Sequence, residues 1–99
     1  MITNRRTFVA HHGQSEAAID LLRSEARTID WPHGLRFYSD SITTFNTVVM
    51  EADYDNLAQY EAMWNEWFSR PTTPAFFEKW IQLTQPGGKN EIFELEIFK

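Results

Sequence analysis

The chain has no cysteine. That excludes disulfides, thiolate metal sites and a cysteine nucleophile. It suits a reducing compartment, so a cytoplasmic location is expected. Basic excess is missing too: nine Lys and Arg stand against fourteen Asp and Glu, a formal net charge of −5. Such a surface repels phosphate backbones and anionic headgroups, and no Lys/Arg stripe offsets it. Neither nucleic acid nor a membrane surface is expected as a partner. No apolar run approaches the ~20 residues of a membrane span. The opening MITNRRTFVA lacks the apolar core of a secretory signal. Gly87-Gly88-Lys89 lacks the rest of a Walker motif and reads as a turn, and no nucleophile elbow or Ser/His/Asp spacing is present. Histidine is absent beyond His33.

Aromatic residues, by contrast, are dense. Residues 60–80 hold seven of the chain's fifteen rings: Tyr60, Trp64, Trp67, Phe68, Phe76, Phe77 and Trp80. Ninety-nine residues make one domain, 1–99, with a single core. Whether these rings are that core or line a pocket is the central question.

The chain reads in order as follows. Residues 5–12 alternate and predict a strand, with Phe8 and Ala10 on one face and Thr7, Val9 and His11 on the other. Gly13 ends it. Ser15 is the expected N-cap of a helix over 15–29, whose apolar stripe runs Ala18, Leu21, Leu22, Glu25/Ala26 and Ile29. Pro32 and Gly34 break that helix. Residues 35–40 and 44–54 read as two hairpin-linked strands, the second with Val48, Met50 and Ala52 on one face. Asp53 or Asp55 is the expected cap of a second helix, striped with Leu57, Tyr60, Trp64, Trp67 and Phe68. Pro71 stops it. Thr73-Pro74 starts another helical piece, 74–84, with threonine at the cap and proline at the first position. Residues 90–98 alternate strictly and predict a last strand.

Strand, helix, strand, strand, helix, strand in so short a chain predicts an α+β, ferredoxin-like βαββαβ domain. Its four-stranded antiparallel sheet has both helices on one face. Right-handed crossovers place the first and third strands in the middle. The uncovered face then carries Thr7, Val9, Thr47, Val49 and Tyr38 with His11, Arg36 and Glu51. It is about half apolar, which implies a partner. A second copy packed sheet on sheet is the economical one, giving a homodimer. Arg36 and Glu51 are expected to pair across the hairpin and to set interface specificity. Arg5 and Arg6 are expected to meet Glu94 and Glu96.

The opening Arg6-Thr7-Phe8-Val9-Ala10-His11-His12-Gly13 resembles the first strand of NIPSNAP-like proteins, an Arg-Thr-aromatic run closed by Gly at the first helix. Length and element order also resemble that group and the antibiotic-biosynthesis-monooxygenase-like proteins of the dimeric α/β-barrel superfamily. The chain departs from the pattern at His12, where proline is commoner. The resemblance implies two sheets paired into a barrel, with a pocket inside each subunit between sheet and helices. It also implies a choice of activities: metal-free monooxygenation of quinols or polyketides, haem degradation, or isomerisation.

The aromatic stretch would border that pocket. Trp64, Trp67, Phe68, Phe77 and Trp80 are therefore candidate ligand-binding residues, with Tyr38 as a spare polar one, although rings at helical spacing also pack as plain core. Haem-degrading members of the superfamily resemble Trp-x-x-Ser, then Phe, then a helix histidine. Trp67-Phe68-Ser69 and Phe76-Phe77 echo the first parts, but Glu78, Lys79 and Trp80 stand where the iron ligand would be. No haem or other cofactor is expected. His11 and His12 point to opposite faces of their strand and cannot readily chelate one metal together. One of them is a candidate catalytic group, a general base or hydrogen-bond donor at the pocket mouth. Two functions follow: a cofactor-independent monooxygenase or isomerase acting on an aromatic or polyketide-like substrate, or a non-catalytic ligand-binding or assembly protein whose rings are mostly core.

Overall fold

The computed structural model describes residues 1–98. Its elements are β1 (Ile2–Val9), α1 (Ser15–Ala26), β2 (Leu35–Ser39), β3 (Thr47–Tyr54), α2 (Leu57–Phe68), α3 (Thr73–Leu83) and β4 (Lys89–Glu94). The four strands form one antiparallel sheet in the order β2-β3-β1-β4. The first and third strands are central, as the crossover argument requires. The helices cover one face, with the second helical region split into α2 and α3 at Pro71.

Alternation sorts the strand residues. Phe8, Ala10, Val48, Met50 and Ala52 turn toward the helices. There Ala10, Val48 and Met50 join Ala18, Ile19, Leu22, Trp64, Trp67, Phe76 and Trp80 in the main core. A smaller cluster of Ile2, Ala52 and Tyr54 closes the other end. Tyr54 is fully buried, and that burial pushes its phenol up to about 12. Trp64 Nε1 is buried and has no hydrogen-bond partner among the described residues. No helix among the described residues is long and apolar enough to cross a membrane.

Several boundaries differ from the sequence expectation. β1 starts at Ile2, not at residue 5. Asn4 and Arg6 occupy inward positions, and these polar residues hide the alternation. Ala10 makes only an isolated bridge to Thr84, which leaves His11 and His12 in the turn before α1. β4 stops at Glu94, because β1 begins at Ile2 and can offer only the Met1 carbonyl to Leu95 N, 3.0 Å. Residues 95–98 have no further strand to pair with among the described residues, however well they alternate.

The caps differ as well. α1 is preceded by Gln14, without a side-chain cap, and the Ser15 hydroxyl donates instead to Asn46 Oδ1 at 3.3 Å. α2 is capped by Asn56, whose Oδ1 accepts from Gln59 N at 2.9 Å. The side-chain Oε1 of Gln59 reaches back and accepts from Asp55 N at 2.6 Å, a variant of the capping box. Asp53 is drawn away to Arg36. α3 is preceded by Thr72; Thr73 begins the helix and its hydroxyl donates to the Trp67 carbonyl at 2.6 Å, tying the end of α2 to the start of α3.

Candidate functional site

Between the helix face of the sheet and the helices lies a cavity of about 80 Å³. That is several times the ~10–15 Å³ one water needs. The sheet supplies Arg6, Phe8 and Met50, and α1 supplies Leu22, Glu25 and Ala26. Seven rings line it: Phe8 from β1, Trp31 from the loop after α1, Trp64, Trp67 and Phe68 from α2, and Phe76 and Phe77 from α3; the indole of Trp80 adds an eighth.

Trp67 is the hub. Its ring centroid lies 5.7 Å from Trp64, 5.4 Å from Phe76 and 5.6 Å from Phe77, all in edge-on geometry. Its Nε1–H donates to Glu25 Oε1 at 2.8 Å. Phe76 stacks on Trp80 at 5.7 Å, and Trp80 meets Phe8 edge-on at 4.8 Å. Trp31 is fixed by its Nε1–H to the Ala26 carbonyl at 3.0 Å. Trp64, Trp67, Phe76 and Trp80 are buried, whereas Phe68 and Phe77 are 53% and 37% exposed. The last two therefore mark the mouth of the cavity.

The structure thus brings Trp64, Trp67, Phe68, Phe77 and Trp80 together around one space. Tyr38 is not among them. It sits on the opposite face of the sheet, 47% exposed, with its hydroxyl donating to Glu51 Oε1 at 3.3 Å. Alternation puts it there: Leu35 and Phe37 turn inward, so Tyr38 turns outward. His11 and His12 are exposed in the β1–α1 turn, and neither lines the cavity. Its ionisable wall groups are Arg6 and Glu25 instead.

Both of those residues carried a signal. Arg6 shares its strand face with Phe8, so alternation alone sends it inward. Glu25 falls within the apolar stripe of α1, where a carboxylate needs a reason to be. The reason is the Trp67 N–H.

The uncovered face holds a network of charge. Glu51 is 7% exposed and accepts from Arg5 Nε and Arg36 Nη2, both at 2.8 Å. Arg36 also donates to Asp53 at 3.1 and 3.2 Å, and Thr3 Oγ1 donates to Asp53 at 2.7 Å. The pairing of Arg36 with Glu51 is the one expected from the hairpin. Arg5 goes to Glu51 and not to Glu94 or Glu96, because the strand partner of Arg5 on β3 is Glu51 itself. Desolvation pushes the Glu51 carboxyl up, but the hydrogen bonds from Arg5 and Arg36 outweigh it and hold it below the usual range. The Arg36 hydrogen bond lowers Asp53 against a smaller burial effect, and Asp53 first, then Glu51, raises Arg36. No cluster of three or more His, Asp or Glu side chains among the described residues is placed to hold a metal ion.

No protein-family model matches the chain, and no curated protein matches it. Solved structures do. A NIPSNAP family protein of unknown function from Agrobacterium tumefaciens superposes with a TM-score of 0.85 at 17% identity, covering 100% of this chain and 91% of that one. A putative antibiotic biosynthesis monooxygenase from Chloroflexus aurantiacus gives 0.72 at 13% identity, over 99% and 95% of the two chains. SnoaB, a cofactor-independent oxygenase from Streptomyces nogalater, gives 0.66 at 10% identity, over 98% and 94%. The chain therefore has the ferredoxin-like fold that these NIPSNAP and antibiotic-monooxygenase-like structures share.

Proposed function

We propose that the chain is a small-molecule-binding protein, that its site is the aromatic cavity, and that it works as a homodimer. The chemistry we assign is cofactor-independent monooxygenation or isomerisation of an aromatic or polyketide-like compound. The observation that carries the binding reading is a cavity walled by rings between the sheet and the helices. Flat apolar molecules suit such walls. The fold shared with SnoaB supports the oxygenase class. A second reading, a non-catalytic ligand-binding or assembly protein whose rings are mostly core, is favoured by one observation: the cavity's 80 Å³ falls short of the ~300–1,000 Å³ of ordinary ligand sites.

Titration with a panel of quinols, flavins and haemin, followed by tryptophan fluorescence, tests the site. At least one quinol is expected to quench, because Trp64 and Trp67 both face the cavity. Oxygen uptake with that quinol marks the enzyme, and quenching without uptake marks the binder. Silence across the quinols and flavins counts against the cavity as a site.

The homodimer reading rests on apolar groups left uncovered. Val9 and Val49 lie half-buried on the open sheet face, beside exposed Tyr38 and Phe93. Ile42 and Phe45 in the β2–β3 loop are 99% and 84% exposed, and Ile97 and Phe98 are 75% and 101% exposed. A second copy over this face covers the strand residues, the charge network and the adjacent loops at once. Sedimentation at micromolar concentration is expected to give a dimer; a stable monomer there sinks the sheet-pairing argument.

A further inference from the structure

β1 carries two adjacent arginines, and the pleat sends them to opposite faces of the sheet. Arg5, on the open face, closes on Glu51 at 2.8 Å. Arg6, on the helix face, lines the cavity and has no carboxylate within ion-pair distance among the described residues. Its guanidinium carbon lies 3.8 Å over the Trp64 ring. Nε donates to Asn4 Oδ1 at 3.2 Å and Nη2 to the Tyr60 hydroxyl at 3.0 Å. A guanidinium has five N–H groups. Two are so engaged, which leaves both hydrogens of Nη1 and one of Nη2 without a protein acceptor among the described residues.

Those free hydrogens belong to the fork that takes a carboxylate in two parallel hydrogen bonds. The Trp64 face and the two neutral acceptors fix the group in place without neutralising it. A fixed cation with apolar neighbours and no counter-charge favours an anion arriving from outside. The other ionisable wall group, Glu25, makes no ion pair with Arg6 and spends one oxygen on Trp67. The cavity is therefore polarised, with one positive wall, one negative wall and rings between. An acidic oxygen is held at the first and repelled by the second, so the ligand has one orientation.

We infer that the ligand of this cavity is a flat acid, an apolar ring body bearing one anionic oxygen function such as a carboxylate, phenolate or enolate, and that Arg6 is its anchor. This rests on the reading of the cavity as a small-molecule site. Benzoate and benzamide separate the two ideas, since they share a shape and differ in charge. Each is titrated into the whole protein, with tryptophan fluorescence and calorimetry as readouts.

Benzoate is expected to bind about tenfold or more tightly than benzamide, the advantage of a charge-assisted pair over a neutral one. The preference should shrink with added salt. In Arg6→Met it should vanish while benzamide binding stays, and in Arg6→Lys part of it should remain, since the charge is kept and the fork is lost. Equal binding of the two by the unaltered protein overturns the anion assignment and leaves the cavity reading standing. A benzoate preference that survives Arg6→Met overturns Arg6 as the anchor. Failure of both compounds to bind overturns the inference together with the reading beneath it. The comparison on the unaltered protein requires no variant to fold.

Discussion

Trp67→Ala should destabilise the fold by about 3–5 kcal/mol, as expected for truncating a buried large aromatic residue. The ring is 4% exposed and packs on Trp64, Phe68, Phe76 and Phe77, which come from both α2 and α3. Removing it empties the junction of the two helices. It also strips Glu25 of its only hydrogen-bond donor among the described residues, leaving a carboxylate against apolar walls. Domains of this size hold only about 5–15 kcal/mol in total, so the variant should unfold at far lower urea. Phe77→Ala is the control. Its ring is 37% exposed at the cavity mouth, so its loss should cost roughly 1 kcal/mol and widen the opening instead. Urea titration of the pair decides between two views of the aromatic stretch. A large cost at Trp67 with a small one at Phe77 means a core floor and a pocket rim. Equal large costs mean solid core throughout, and equal small ones mean the rings are loosely held.

The aromatic stretch also shows what sequence alone could and could not say. The spacing of Trp64 and Trp67 on one helix, Pro71 as a stop, and Phe77 and Trp80 on a second piece placed all the rings on the correct side of the sheet. The strand order followed from the element order and crossover handedness. What stayed hidden was polar. Asn4 and Arg6 face inward, and a polar residue at an inward position mimics the end of a strand. Glu25 was visible within the stripe of α1, but its partner Trp67 lies forty-two residues away, beyond any local pattern. His11 and His12 attracted attention because histidine is the versatile catalyst. Their placement depends on where β1 stops, and that is set by the Ala10–Thr84 bridge, a long-range contact. Tyr38 was assigned to the open face by its parity yet also entered among the pocket candidates; the face assignment is the one the sheet obeys.

Glu51→Gln should weaken the fold, and the proposed homodimer with it if a second copy covers this face, and acid should erase the difference. Glu51 bridges two arginines on neighbouring strands, and its replacement leaves Arg5 without a carboxylate and Arg36 with Asp53 alone. Breaking a fully buried pair costs about 3–5 kcal/mol. Here the arginine side chains are 45% and 39% exposed, so water screens part of the loss and about 2 kcal/mol is the expectation for the monomer. The carboxyls of Glu51 and Asp53 are held below their ordinary range in the folded chain. The unfolded chain therefore binds more protons in mild acid, and their contribution is complete above the ordinary carboxylate range. It is lost as pH falls through the lowered folded values. Urea unfolding at about pH 7 and at about pH 3 should show the gap between the two proteins wide in the first and narrow in the second. A gap unchanged at low pH would assign the effect to side-chain packing and not to charge. Sedimentation then asks where the network sits in the assembly. If a second copy covers it, solvent no longer screens the unpaired arginines, and the variant should dissociate at concentrations where the unaltered protein stays paired. A variant that unfolds more easily yet remains as dimeric as its parent would place the network outside the contact, and the twin chain would then have to meet this one through the exposed loop at Ile42 and Phe45 and the segment at Ile97 and Phe98.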